Sequence, residues 1–156
     1  MGDSPKIDEL RLAMKRAIEA QDQLLNAWKR FDGNDSALLG SPEDIELLRQ
    51  MILRRIYPVN AFEPLAQIAR SAAIAMLLDR YLGKGVSPDS KFGGYTSELW
   101  TMLDDLRLAQ GESALRELVQ HPRFDRKFLT DPRVVESFTQ ALDILHEDFS
   151  RWLGET

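Results

Sequence analysis

The sequence predicts an all-α fold: a single helical domain over residues 1–156, arranged as a bundle of about five to seven helices around a buried central helix at about residues 61–82. Three observations predict this fold. Apolar residues recur three and four positions apart over long stretches, as they do on the inner face of a helix. The alternation of apolar and polar residues that marks strands is missing. Serine or aspartate followed by proline begins several stretches, and glycine follows several others.

The first helix is predicted to begin after Ser4, which can cap it, and to end at Gly33. A helix with heptad-like apolar spacing can pair with a second copy of the chain, or it can pack against other helices of the same bundle. Helix one is therefore the candidate surface for a protein partner or for self-association as a homodimer. The residues of this apolar seam are Ile7, Leu10, Met14, Ala17, Leu24, Trp28 and Phe31.

The central helix is the third element along the chain. Ser41 begins the helix before it, and Pro58 ends that helix because proline lacks an amide hydrogen and collides with the preceding turn. Asn60 is predicted to cap the central helix, with Pro64 in its first turn and Gly83 just past its end. An alanine-rich interior that is apolar on most sides predicts burial among the neighbouring helices.

The C-terminal half is predicted to contain a loop and three more helices. Residues 84–95, rich in glycine with two aromatic residues, are either a connector or a ligand-binding loop. The helices are expected at about residues 97–110, 112–120 and 132–153, with one further turn at about residues 123–129. The inner face of the last helix is expected to consist of Val134, Val135, Phe138, Leu142, Leu145, Phe149 and Trp152.

Composition limits the classes of function. The chain of 156 residues has no cysteine, which excludes disulfides, thiolate metal sites and cysteine nucleophiles. Its net charge of −5 makes broad binding to nucleic acid unfavourable, since phosphates must be neutralised by Lys and Arg. The N-terminus lacks the pattern of a signal sequence, and no apolar run approaches the roughly 20 residues that span a bilayer. We therefore expect a cytoplasmic protein that does not enter membranes.

Arg116 and His121, near the end of helix five, are separated by four residues. This pattern resembles the signature of HEPN-domain ribonucleases, which are small helical bundles. The resemblance implies a metal-independent nuclease in which His121 and Arg116 act on the 2′-hydroxyl and the phosphate of RNA. The sequence departs from the family where Pro122 ends the helix at once and where Glu117, rather than Asn or Asp, follows Arg116. The alternative is a surface arginine and a histidine that suits the negative end of a helix.

A metal site is the second candidate. Asp143, His146 and Glu147 are expected within about one turn of the last helix, with Asp143 and His146 on one side. Di-iron and di-manganese bundles use a Glu and a His at this spacing on each of two helices, with further Glu residues. Because the ligand set here is incomplete, we expect a solvated acidic face and no metal or other cofactor.

A basic segment with interleaved aromatic residues is the third candidate. Arg123, Arg126 and Lys127 alternate with Phe124 and Phe128, an arrangement that can bind single-stranded nucleic acid through phosphates and stacked bases. The phenylalanines are four residues apart, however, which suits one buried helical face. Packing is the preferred interpretation, with an anionic protein partner as the alternative.

The sequence contains no complete catalytic constellation. It therefore predicts a non-enzymatic helical interaction protein: a regulator, an adaptor or a small subunit of a larger assembly. The alternative function is the metal-independent ribonuclease that uses Arg116 and His121.

Overall fold

The computed structural model describes residues 5–31, 39–86 and 95–154. The chain divides into two compact units, Met1–Asp35 and Ser36–Thr156. The first contains a single helix, α1 (Pro5–Arg30), and the second contains all the others. The described residues contain helices and no strand, which confirms the predicted all-α fold. That one domain spans residues 1–156 stays a prediction.

The second unit contains seven α-helices in its described residues and three short helical turns. The α-helices are α2 (Pro42–Leu53), α3 (Pro58–Ile68), α4 (Arg70–Leu77), α5 (Tyr95–Gln110), α6 (Glu112–Gln120), α7 (Pro132–Leu142) and α8 (Phe149–Gly154). A π-helical turn (Leu78–Leu82) continues α4, and 3-10 turns cover Arg126–Thr130 and His146–Asp148. The described residues thus contain eight α-helices, more than the predicted five to seven, because two of the predicted helices are each divided.

The predicted central helix is buried but not continuous. Most of its apolar side chains are buried, as expected, yet the helix breaks at Ala69, where φ is −148° and ψ is 80°. The side chain of Gln110 on α5 donates to the carbonyl of Ala66 at 2.9 Å, which satisfies a carbonyl that the break leaves open. Pro64 also lies inside α3 rather than in its first turn, because α3 begins at Pro58.

The predicted last helix is divided as well. It begins as expected, with the Asp131 side chain accepting from the backbone N–H of Arg133 at 2.9 Å. It ends at Leu142, where Asp143 adopts the left-handed conformation with φ at 55°. After the second 3-10 turn, α8 returns Phe149 to within 5.7 Å of the Phe138 ring. This path leaves Leu145 64% exposed, so its expected inward position was wrong.

Helix α5 packs against both α3 and α7 and supplies the middle of the core. A polar contact also fixes its N-terminal end. The Glu98 carboxylate accepts from the Tyr81 hydroxyl at 2.8 Å and from the Arg55 guanidinium at 2.8 Å. Burial of the phenol, followed by its hydrogen bond to Glu98, raises the pKa of Tyr81. Glu98 thereby joins α5 to the π-helical turn and to the α2–α3 connection.

Asp105 on α5 makes the stability of the fold depend on pH. Burial, followed by the negative charges of Glu63 and Asp104, raises its pKa to about 7. The folded state therefore holds a proton on Asp105 that the unfolded chain has released, and stability falls as pH rises from about 4 to about 7.

We expect Asp105→Asn to raise the free energy of unfolding at pH 8 by about 1–2 kcal/mol, once solvent screening at this part-exposed position is allowed for. The gain should vanish near pH 4, where the carboxyl is neutral in the folded state. Urea unfolding at both pH values measures the difference, with the exposed Glu147→Gln as control. An equal effect of Asp105→Asn at pH 4 and pH 8 would contradict this origin.

Candidate functional site

One open depression in the second unit contains both residues of the predicted nuclease pair. It measures about 550 Å³ and lies between the start of α4 and the outer face of α6. Helix α6 spans the predicted residues, which places Arg116 within the helix and His121 just after it. The residues that line the depression include Arg70, Ser113, Arg116, Glu117, Gln120 and His121.

Arg116 is engaged in contacts with α8. Its guanidinium donates to the Trp152 carbonyl at 3.2 Å and to the Glu112 carboxylate at 2.8 Å. The guanidinium carbon also lies 4.7 Å from the centre of the Trp152 ring, a cation–π contact. These contacts tie the C-terminal helix to α6, so Arg116 has a structural role whatever else it does.

Glu112 completes this contact. Its carboxylate accepts from the Trp152 indole N–H as well as from Arg116. The hydrogen bond from Trp152, followed by that from Arg116, lowers the pKa of Glu112. The four-residue spacing of Glu112 and Arg116 could have predicted their ion pair, but nothing in the sequence indicated that Trp152 would join them.

His121 is half-buried at the end of α6 and contacts the turn that follows the helix. Its Nδ1 accepts a hydrogen bond from the backbone N–H of Arg123 at 3.0 Å. A neutral imidazole that accepts at Nδ1 carries its proton on Nε2, which then donates rather than accepts. In this arrangement the ring stabilises the turn that follows α6, and its Nδ1 is engaged by that turn.

Arg70 is the cation that sequence reasoning missed. It begins α4, far from α6 in sequence, and its guanidinium lies 3.5 Å from the Glu117 carboxylate across the depression. The side chains there thus mix both signs of charge. A polar ligand could contact two arginines and a histidine, but Glu117 would oppose an anionic one.

The predicted metal candidates do not share a helical face. Asp143 lies at the left-handed end of α7, while His146 and Glu147 lie in the following 3-10 turn, so the helical spacing assumed for them was wrong. Among residues 5–31, 39–86 and 95–154, no three His, Cys, Asp or Glu side chains are grouped as metal ligands would be.

The two phenylalanines of the basic segment pack in the core, which was the preferred interpretation of the sequence. Phe124 and Phe128 are buried, so their rings are not open to stacked bases. Arg123 forms an ion pair with Asp79, and the Lys127 amine lies 3.5 Å from the carboxylate of its neighbour Asp125. The aromatic residues therefore belong to the core, with the charged groups at its edge.

Helix α1 presents the other candidate surface. None of its side chains is buried. Five large apolar side chains, Ile7, Leu10, Leu12, Met14 and Ile18, are between 42% and 61% exposed, and all but Leu12 lie on or beside the seam. Towards the C-terminal end, Leu24, Trp28 and Phe31 are half-buried, and the Trp28 and Phe31 rings meet edge to face at 5.5 Å.

The loop predicted at residues 84–95, a connector or a ligand-binding loop, falls largely on residues 87–94, which lie outside the described residues. No described helix is long and apolar enough to cross a bilayer. No protein-family model, no curated protein and no solved structure matches the chain.

Proposed function

We propose that this chain is a non-enzymatic helical interaction protein, a regulator, an adaptor or a small subunit of a larger assembly, that binds a helical partner through α1. The carrying observation is the line of large apolar side chains that α1 leaves 42% to 61% exposed. A helix of 26 residues with such a face is costly to leave in water.

The energetics support docking of a helix on this face. Complete burial of one large apolar side chain contributes about 1.5–3 kcal/mol. The four half-exposed side chains on or beside the seam therefore offer roughly 3–6 kcal/mol before the costs of association, and the rest of the seam adds to this. Residues three and four apart are the anchors by which helices occupy apolar grooves.

The double variant Leu10→Asp/Met14→Asp tests this proposal. It should weaken partner binding at least about tenfold, because it places two charges in the apolar face. Affinity purification from the native cell, followed by mass measurement, gives the readout. Leu108→Asp, at a leucine that is 69% exposed on α5, is the matched control and should bind as the wild type does. Recovery of the bare protein at its monomer mass would contradict the proposal.

One observation favours the ribonuclease alternative: Arg116 and His121 line the same depression. Because Arg116 also holds Trp152, its replacement would alter stability, and His121→Asn is the sharper variant. We expect the wild-type protein to leave single-stranded RNA intact in the presence of a chelator, since Nδ1 of His121 is already an acceptor. Cleavage of the RNA by the wild type would establish the nuclease instead, provided that His121→Asn abolishes it and the control Arg126→Ala retains it.

A further inference from the structure

The depression between α4 and α6 contains an ion pair that is not closed. The Arg70 guanidinium lies 3.5 Å from the Glu117 carboxylate, whereas a charge-assisted hydrogen bond joins such groups at about 2.7–2.9 Å. Both side chains are part-exposed, at 30% and 49%. Within the described residues, the buried Nε of Arg70 also has no acceptor. Arg70 and Glu117 therefore keep hydrogen-bonding capacity that they do not use on each other.

The other charged group of the depression is already compensated. Arg116 donates to the Glu112 carboxylate at 2.8 Å and to the Trp152 carbonyl at 3.2 Å. Its charge is thus balanced within α6, and its guanidinium is held against α8. The remaining lining residues are neutral. A ligand in the depression therefore meets one cation, Arg70, and one anion, Glu117, that are available for contact.

We propose that this depression binds a free polar α-amino acid, with the carboxylate of the ligand on Arg70 and its ammonium on Glu117. A ligand with a single charge meets one partner and one opponent here, because the two side chains are neighbours. A zwitterion pairs with both. This inference goes beyond the interaction function proposed for α1 and does not depend on it.

The spacing of the two charges suits an α-amino acid. Its ammonium and carboxylate are bonded to one carbon, which places the nitrogen about 2.5 Å from the carboxyl carbon. The charges of the site are separated by a similar distance, 3.5 Å between the nearest nitrogen of Arg70 and oxygen of Glu117. The ligand can thus lie beside the ion pair with each charge against its opposite. Because exposed ion pairs contribute little to stability, little is lost when this one opens.

The rest of the depression favours a polar side chain on the ligand. Of the described residues that line it, only Pro122 has an apolar side chain. Ser113 and Gln120 are exposed and can each donate or accept, and His121, engaged at Nδ1, keeps a donor at Nε2. The volume of about 550 Å³ lies within the range of about 300–1,000 Å³ that small-molecule sites occupy. A side chain as long as that of glutamine therefore fits.

L-Glutamine and two truncated analogues test the pairing of charges. Glutaramate is glutamine without the ammonium, and γ-aminobutyramide is glutamine without the carboxylate. Titration of the isotope-labelled full chain, followed by NMR, should show saturable shifts of the backbone amides of α4 and α6 with millimolar glutamine. Each analogue should bind at least about tenfold more weakly, because it loses one charge-assisted hydrogen bond and keeps the charge that the site opposes.

Two single variants test the residues. Arg70→Gln and Glu117→Gln should each weaken glutamine binding at least about tenfold and leave the melting temperature nearly unchanged. The matched control is the ion pair of Arg49 and Glu46 on α2, whose side chains are 37% and 52% exposed. Arg49→Gln and Glu46→Gln should bind glutamine as the wild type does. If Arg70→Gln fails to fold, the half-exposed Glu117→Gln decides the outcome.

Three results would overturn the inference. The first is the absence of saturable shifts with glutamine at tens of millimolar. The second is equal binding of glutaramate or of γ-aminobutyramide, which would show a site for one charge only. The third is unchanged binding by Glu117→Gln. The purification experiment with Leu10→Asp/Met14→Asp reads the function of α1 separately, so either proposal can fail while the other stands.

Discussion

Replacing Phe138 by alanine should lower the free energy of unfolding by about 3–5 kcal/mol. Phe138 lies on α7 with no exposed surface. Its ring centre is 5.7 Å from that of Phe149 and 6.4 Å from that of Trp152. Truncation removes the burial of one aromatic ring, leaves a cavity and deprives both rings of α8 of their support. We therefore expect α8 to loosen before the rest of the second unit unfolds.

Urea unfolding followed by circular dichroism measures this loss, and fluorescence of Trp152 reports on α8 separately. Because the chain has three tryptophans, Trp28 and Trp100 are first replaced by phenylalanine in the reference protein. The control is Leu108→Ala, at a side chain that is 69% exposed, and it should change stability by less than about 0.5 kcal/mol. A loss no larger than that of the control would show that Phe138 does not lie in the core.

Gly83→Ala should lower the free energy of unfolding by about 3 kcal/mol, which is the upper end of the usual effect of overpacking. Gly83 ends the π-helical turn, where its N–H donates to the Leu78 carbonyl at 2.8 Å. A Cβ at this position would overlap the Leu78 carbonyl oxygen, which is backbone and cannot rotate away. The φ of −85° suits any residue, so crowding, and not backbone strain, is the reason that glycine is required.

The same residue joins two distant segments, which enlarges the effect. Gly83 pairs with Phe124 in an isolated bridge, with hydrogen bonds from Lys84 to the Arg123 carbonyl and from Asp125 to the Leu82 carbonyl, both at 2.9 Å. Displacing Gly83 would disturb these bonds as well. Thermal unfolding tests the expectation against Gly154→Ala, where a Cβ meets nothing within 4 Å. Equal melting temperatures for the two variants would contradict it.

Much of the helical layout follows from short-range patterns and was predictable. Ser41 caps α2 by accepting from the backbone N–H of Asp44 at 3.1 Å, and Asp131 caps α7 in the same way. Helix α6 spans the residues expected of it. Such signals act between residues one to four positions apart, so a single sequence carries them in full. Burial of the central segment was predictable for the same reason, since it is apolar on most sides.

The candidate nuclease pair was less predictable. The spacing of Arg116 and His121 identifies two residues that line one depression. It does not reveal that Arg116 bonds to Trp152, or that Arg70 faces Glu117 from another helix. These contacts join residues about 35 to 50 positions apart, and they depend on how the helices pack.

Short-range chemistry was thus enough to predict that the chain is all-α, where most helices begin and which segment is buried. Packing between distant segments was needed to break the central helix at Ala69, where Gln110 satisfies an open carbonyl. Packing also turned the chain at Asp143 so that Phe149 reaches Phe138. The physical reason is common to both breaks. A helix ends where its unbonded carbonyls and apolar side chains find partners elsewhere, and those partners are distant in sequence.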